Sequence, residues 1–148
     1  MKFEIKKFNE LTVDEMYEIA KSRFEVFVCE QEITEEQDFD DKVKVCHHVM
    51  LKENERIVAY SRIVPKGSGY EHISIGRVLV LNSHRRKGIA QKMIKAALEF
   101  IKNNLDENIV VLSAQEYVKE MYSSVGFKVV SDVYDEVNIP HVKMKIEL

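Results

Sequence analysis

Apolar and polar residues alternate from residue 2 to 8, with Phe3 and Ile5 on one side, which predicts a short strand. The period then lengthens. Thr12 and Glu15 form a T-x-x-E capping box, and Val13, Met16, Tyr17, Ala20, Phe24, Phe27 and Val28 recur at helical spacing. A helix is therefore expected to about Val28, with Phe24 buried. Residues 43–51 and 56–64 are β-rich runs around Glu53-Asn54-Glu55, a predicted hairpin, and residues 65–69 form a Pro- and Gly-containing loop. Residues 73–81 read as a further strand. A stripe of Ala90, Met93, Ile94, Ala97, Leu98 and Ile101 then predicts a helix closed by Asn103 and Asn104. Residues 109–112 form a short apolar strand, 116–124 a short helix ended by Gly126, and 127–133 and 141–146 the last strands. Residues 134–140 read as a loop whose Pro140 should stop ladder pairing. Strand, helix, strand across 73–112 requires a right-handed crossover, which sets those two strands parallel.

Some residues break these patterns. Gly76 lies inside an apolar strand, where glycine marks a bulge or a close backbone approach, and a bulge would free N–H groups for a ligand. Arg62 and Arg77 put charge into neighbouring apolar strands. Arg23 sits near a helix C-terminus, where a cation also suits the dipole. His47 and His48 are adjacent in a strand, so they point to opposite faces and cannot share a metal; a zinc site is rejected, and His48 is expected to face inward.

Composition narrows the class. The chain has 148 residues, 45% apolar and 32% charged, as expected of one globular domain spanning residues 1–148. A net charge of −3 gives no global drive toward nucleic acid. No apolar run reaches the roughly 20 residues that cross a bilayer, and the N-terminus enters strand pattern directly. Cys29 and Cys46 lack C-x-x-C spacing and read as reduced structural thiols of a cytoplasmic protein.

Two local charge features stand out. Arg85-Arg86-Lys87-Gly88-Ile89-Ala90 joins an apolar strand to a helix. A basic, glycine-containing turn at a helix start can hold phosphate, because the first N–H groups are unpaired and the dipole is positive there. It is neither a P-loop nor a GxGxxG turn. Residues 30–41, EQEITEEQDFDD, carry acids and no base. This run is either a solvated acidic surface or an electrostatic lip for a cationic amine.

These residues resemble a known family. Arg85-x-x-Gly88-x-Ala90 resembles the Q/R-x-x-G-x-G/A acetyl-CoA signature of GNAT-type N-acetyltransferases, and Val78-Leu79-Val80 resembles that family's cofactor strand. Tyr122-Ser123-Ser124-Val125-Gly126-Phe127 resembles its late Y-x-x-x-G-F element. The likeness extends to the ElaA-like branch through Arg23-Phe24-Glu25-Val26-Phe27-Val28-Cys29-Glu30-Gln31, Asp38-Phe39-Asp40, Ile75-Gly76-Arg77-Val78, Ala114-Gln115 and Ile139-Pro140-His141. It implies an α/β (α+β) GNAT fold with a mixed, mostly antiparallel sheet of about seven strands. A parallel pair would splay at the cofactor site, and about four helices would flank the sheet.

The resemblance also implies a chemistry. Acetyl-CoA would be co-substrate, with its pyrophosphate on Arg85, Arg86, Lys87, Gly88, Ile89 and Ala90, and its pantetheine arm along Val78, Leu79 and Val80 near Gln115. A backbone N–H near Val78 or Leu79 would steady the oxyanion, and Tyr122 would protonate the leaving thiolate. The acceptor, a primary amine of a small molecule or peptide, would meet Arg23, Glu30, His48, Arg62, Arg77 and His141. The general base stays open among Glu30, His48, His141 and a water chain. The three arginines would suit an acceptor carrying a carboxylate or phosphate, unless the nearby acids pair with them. No metal, membrane or nucleic-acid partner is expected, and a homodimer is compatible. Two other readings stay open: an acyl-homoserine-lactone-synthase-like acyltransferase, and a non-catalytic CoA-binding sensor on the same fold.

Overall fold

Alternating segments can bury their apolar faces only by pairing, and here they do so in one mixed sheet. A computed structural model describes residues 1–148. The strands are β1 (Glu4–Lys7), β2 (His47–Glu53), β3 (Arg56–Val64), β4 (Ile73–Val80), β5 (Ile109–Gln115), β6 (Lys128–Val129), β7 (Tyr134–Glu136) and β8 (Ile139–Glu147). They run in the order β1-β2-β3-β4-β5-β8-β6, with β7 also paired to β8. Three α-helices accompany them: α1 (Val13–Arg23), α2 (Ile89–Asn104) and α3 (Lys119–Val125). Helices α1 and α2 both pack against β3, whose residues from Ile57 to Val64 are all buried. Ile57, Tyr60, Ile63, Met93, Ile94 and Leu112 form its centre with almost no exposed surface. Each such side chain contributes about 1.5–3 kcal/mol relative to an exposed one.

Helix α1 starts where the capping box places it. The Thr12 hydroxyl accepts from Glu15 N at 3.0 Å, and the Glu15 carboxylate accepts from Thr12 N at 2.9 Å. Its inner face differs from the expected stripe. Glu15, Ile19, Ser22 and Arg23 are buried, whereas Val13, Tyr17 and Phe24 are exposed by 86, 63 and 55%. Partners decide this: Glu15 receives Lys6 and Lys52, Ser22 donates to Ile19 O, and Arg23 reaches Asp38. Beyond Arg23 the helix widens over Phe24–Glu30, with Gln31 N bonding back to Val26 O. Such wide turns often border functional sites.

Two irregularities shape the middle of the sheet. Strands β3 and β4 pair Tyr60 with Leu79 and then Arg62 with Gly76, so Ser61 alone faces Arg77 and Val78. This is the expected bulge, but Arg77 rather than Gly76 takes the left-handed conformation, at φ 50°. Strands β4 and β5 are parallel and in register only at Ile73/Val110 and Ser74/Val111. Past that point they part, and residues 75–80 of β4 lose their neighbour on the β5 side.

The end of the chain corrects two expectations. Strand pairing in 127–133 shrinks to Lys128–Val129. Residues 134–140 are not a loop: β7 and β8 form a hairpin whose turn residues Val137 and Asn138 both have positive φ, 47° and 63°. That is the type I′ signature, which matches strand twist. Pro140 does not stop the pairing. Glu136 and Ile139 flank the two-residue turn, so Asp135/Pro140 is the next, non-hydrogen-bonded pair, where a missing N–H removes nothing from the ladder.

Candidate active site

The parting of β4 from β5 opens a cavity of about 860 Å³ lined by residues of the basic loop, α3, the acidic segment and the β7–β8 hairpin. At one end, Arg86 and Gly88 both have positive φ, 64° and 74°. Gly88 is the N-cap of α2 and no side chain caps this helix. Its first N–H groups and the positive dipole end are thus available to an anion. A Cβ on Gly88 would meet nothing closer than Gln91 Oε1 at 3.8 Å, so the backbone there is openly approachable. Arg85 is anchored: it donates to Val80 O and to Glu30, each at 2.8 Å. Arg86, Gly88, Ile89 and Ala90 line the cavity, whereas Lys87 does not. An open glycine backbone, an uncapped helix start and nearby guanidinium groups fit a diphosphate.

Beyond this loop, Val78, Leu79 and Val80 form one wall where β4 has no neighbour, with Gln115 across the gap. Gln115 donates to Gln31 at 2.9 Å, tying β5 to the end of the widened helix. Tyr122 is 6% exposed and lines the same cavity. Gly126, at φ 118°, reverses the chain so that Phe127 N reaches Tyr122 O at 3.1 Å and the two rings meet edge-on at 6.0 Å. The Y-x-x-x-G-F spacing therefore fixes the tyrosine ring. Burial pushes the Tyr122 hydroxyl above its ordinary pKa with no hydrogen bond opposing it, so the phenol holds its proton at neutral pH.

The arginines organise the acidic segment. Arg23 is wholly buried, with Phe39 4.4 Å and Tyr60 5.7 Å from its guanidinium, and it donates to Asp38 at 3.1 Å. Arg62 forks onto Asp40 at 2.7 and 2.9 Å. Arg77, from the bulge, donates to Asp38 O and to Gln37 O and lies 3.4 Å from the Asp38 carboxylate. Hydrogen bonding from Arg62 outweighs burial and pulls Asp40 down to about 2. The acids and arginines thus pair with each other, and both terminal nitrogens of Arg62 are taken up by Asp40. Arg62 and Arg77 touch the cavity; Arg23 stands behind it.

His48 also lies outside the cavity lining. Its Nε2 donates to Val43 O at 2.9 Å, and its Nδ1 accepts from the Tyr60 hydroxyl at 2.6 Å, so both nitrogens serve the core. Burial lowers its pKa, which favours this neutral ring. Glu30 and His141 do line the cavity. Glu36, from the acidic run, lines it as well, and so does Glu136, which sequence reasoning missed. Glu136 lies in the segment expected to be a loop, and the one local sign of the hairpin is Asn138, a residue that tolerates the positive φ of a two-residue turn. Asn138 at the hairpin tip donates to Glu35 of the acidic segment, so two walls of the cavity touch.

Residues 7–148 match the model of the acetyltransferase (GNAT) domain family. The chain belongs to the GNAT acetyltransferase family. As a GNAT protein it is an acyltransferase. This GNAT chain is 41% identical over 150 residues to a UPF0039 protein of Schizosaccharomyces pombe, covering 100% of this chain and 98% of that protein. It is 33% identical to protein ElaA of Escherichia coli, over 95% of this chain and 92% of ElaA. Among solved structures, an acyl-CoA N-acyltransferase from Pseudomonas aeruginosa superposes with a TM-score of 0.88 at 32% identity, covering 98% of each chain. The crystal structure of Escherichia coli ElaA gives 0.86 at 31% identity, covering 99% of this chain and 100% of that one. No helix here is long and apolar enough to cross a membrane.

Proposed function

We propose that this protein transfers an acetyl group from acetyl-CoA to a primary amine by direct attack of the amine on the thioester. One observation carries the reading: a single cavity joins the uncapped start of α2, the unpartnered stretch of β4 and the buried Tyr122. Arg86, Gly88, Ile89 and Ala90 receive the pyrophosphate through backbone N–H groups and charge. Residues 78–80 bond the pantetheine arm as an added strand edge. A backbone N–H at Val78 or Leu79 supports the oxyanion, and Tyr122 donates its proton to the departing thiolate.

The acceptor end favours a cation. Arg62 and Arg77 are occupied by the acidic segment, while Glu36 and Glu136 keep about half of their side-chain surface open, 48 and 47%. A protonated amine of a small molecule or peptide matches that field.

The test is release of CoA thiol from acetyl-CoA with a panel of amines, on wild type and Tyr122→Phe. Wild type should acetylate at least one amine. The variant should lose about 10²-fold in kcat while CoA binding stays unchanged. Tight CoA binding with no transfer to any amine would identify a sensor instead. Absence of CoA binding would end the proposal.

A further inference from the structure

Strand register places Gln115, His141 and Tyr134 in one row across β5, β8 and β7. His141 is 5% exposed and faces the cavity. Its Nδ1 lies 2.7 Å from the carbonyl oxygen of Ile139. A carbonyl only accepts, so Nδ1 carries the ring proton and Nε2 of the neutral ring holds a lone pair. Nε2 stands 3.5 Å from Glu136 Oε2. A carboxylate cannot donate to that lone pair, so the two groups attract strongly only after Nε2 has taken a proton. The tautomer is fixed from behind, and the resulting cation is stabilised from in front.

The other side chains considered as the base, Glu30 and His48, are engaged elsewhere. Glu30 is held by Arg85 at 2.8 Å. Both nitrogens of His48 are bonded, away from the cavity. Asp38 and Asp40 are bound by Arg23 and Arg62.

We propose that His141 Nε2, supported by Glu136, is the base that takes a proton from the acceptor's ammonium group. The assignment rests on the acetyl-transfer reading above. It makes the acceptor an aliphatic amine, which is protonated at neutral pH much as a lysine side chain is and cannot attack until it loses a proton. The N–H bond of the ammonium breaks and Nε2–H forms. The freed lone pair then attacks the thioester carbon, the C–S bond breaks, and the thiolate takes the Tyr122 proton. The amide nitrogen loses its second proton to solvent, and solvent reprotonates Tyr122 and deprotonates His141. The net change is one amide, one thiol and one released proton.

The strands beside the ring bring few charged or titratable groups to it, and Tyr70, which also lines the cavity, lies under Lys143. Strand β7 presents Glu136 and Tyr134, β5 presents the neutral Gln115, and β8 itself carries Lys143 two residues on. Glu136 is the anion that stands within ion-pairing distance of the ring.

The experiment compares two nucleophiles on the full-length protein: a short alkylamine, cationic at pH 7, and hydroxylamine, largely neutral there. His141→Asn keeps a donor near Ile139 O but has no Nε2. It should lose about 10²-fold or more in kcat/KM with the alkylamine and only a few-fold with hydroxylamine, with CoA affinity unchanged. Glu136→Gln should also lose more with the alkylamine than with hydroxylamine, because the imidazolium formed on proton transfer then lacks the carboxylate 3.5 Å from Nε2. Equal losses with both nucleophiles in either variant, or full alkylamine activity in His141→Asn, would each overturn the assignment. Wild type inert toward both nucleophiles would overturn the acetyl-transfer reading itself and this inference with it.

Discussion

Arg62 holds Asp40 with both terminal guanidinium nitrogens, at 2.7 and 2.9 Å, and so pins the acidic segment to β3. A two-point fork is the geometry that an arginine adds beyond its charge. Asp40 is drawn from 3.8 to about 2, chiefly by this hydrogen bonding and against the cost of burial. The folded carboxyl is the stronger acid, so its stabilisation is complete above the unfolded value near pH 4 and lost as the pH falls toward 2. Urea unfolding between pH 5 and 2 should show a steeper loss of stability in wild type than in Asp40→Asn, which starts lower and changes less.

Gly88 tests the loop. Its φ of 74° disfavours any side chain, while the space around its missing Cβ is open. Gly88→Ala should cost about 1 kcal/mol of stability through the backbone alone. Gly88→Trp should keep the fold and weaken CoA binding at least 10-fold, since the indole covers the backbone groups that face the anion. Calorimetric titration with CoA reads this directly, and unaltered affinity would show that the diphosphate lies elsewhere.

Gly126 is constrained twice. Its φ is 118°, and a Cβ would stand 3.1 Å from Ile146 Cδ1. Gly126→Ala should destabilise by about 2 kcal/mol, seen as a lower Tm. Ile146→Val removes the obstructing methyl. The double variant should therefore be less destabilised than the two single effects added together, leaving the part due to backbone conformation.

The parts of this fold that were legible in the sequence are those set by neighbours along the chain. Thr12 and Glu15 announce the start of α1, because both halves of a capping box lie within one turn. The β4–loop–α2 unit and Gly126 were readable for the same reason. The inner face of α1 was not: Val13 and Tyr17 look like core, but Glu15 and Arg23 take that face because Lys52 and Asp38 await them from distant segments. The arginine–acid pairing joins residues from α1, β3 and β4 to one segment, and no local pattern encodes it. Pro140 misled because its usual meaning assumes a strand bonded on both sides, whereas here it falls on a non-bonded pair of a hairpin.

The contact between Asn138 and Glu35 fastens the hairpin tip to the acidic segment. Val137 and Glu36, their neighbours along the chain, line the cavity, so these two walls are tied to each other and not only to the sheet beneath them.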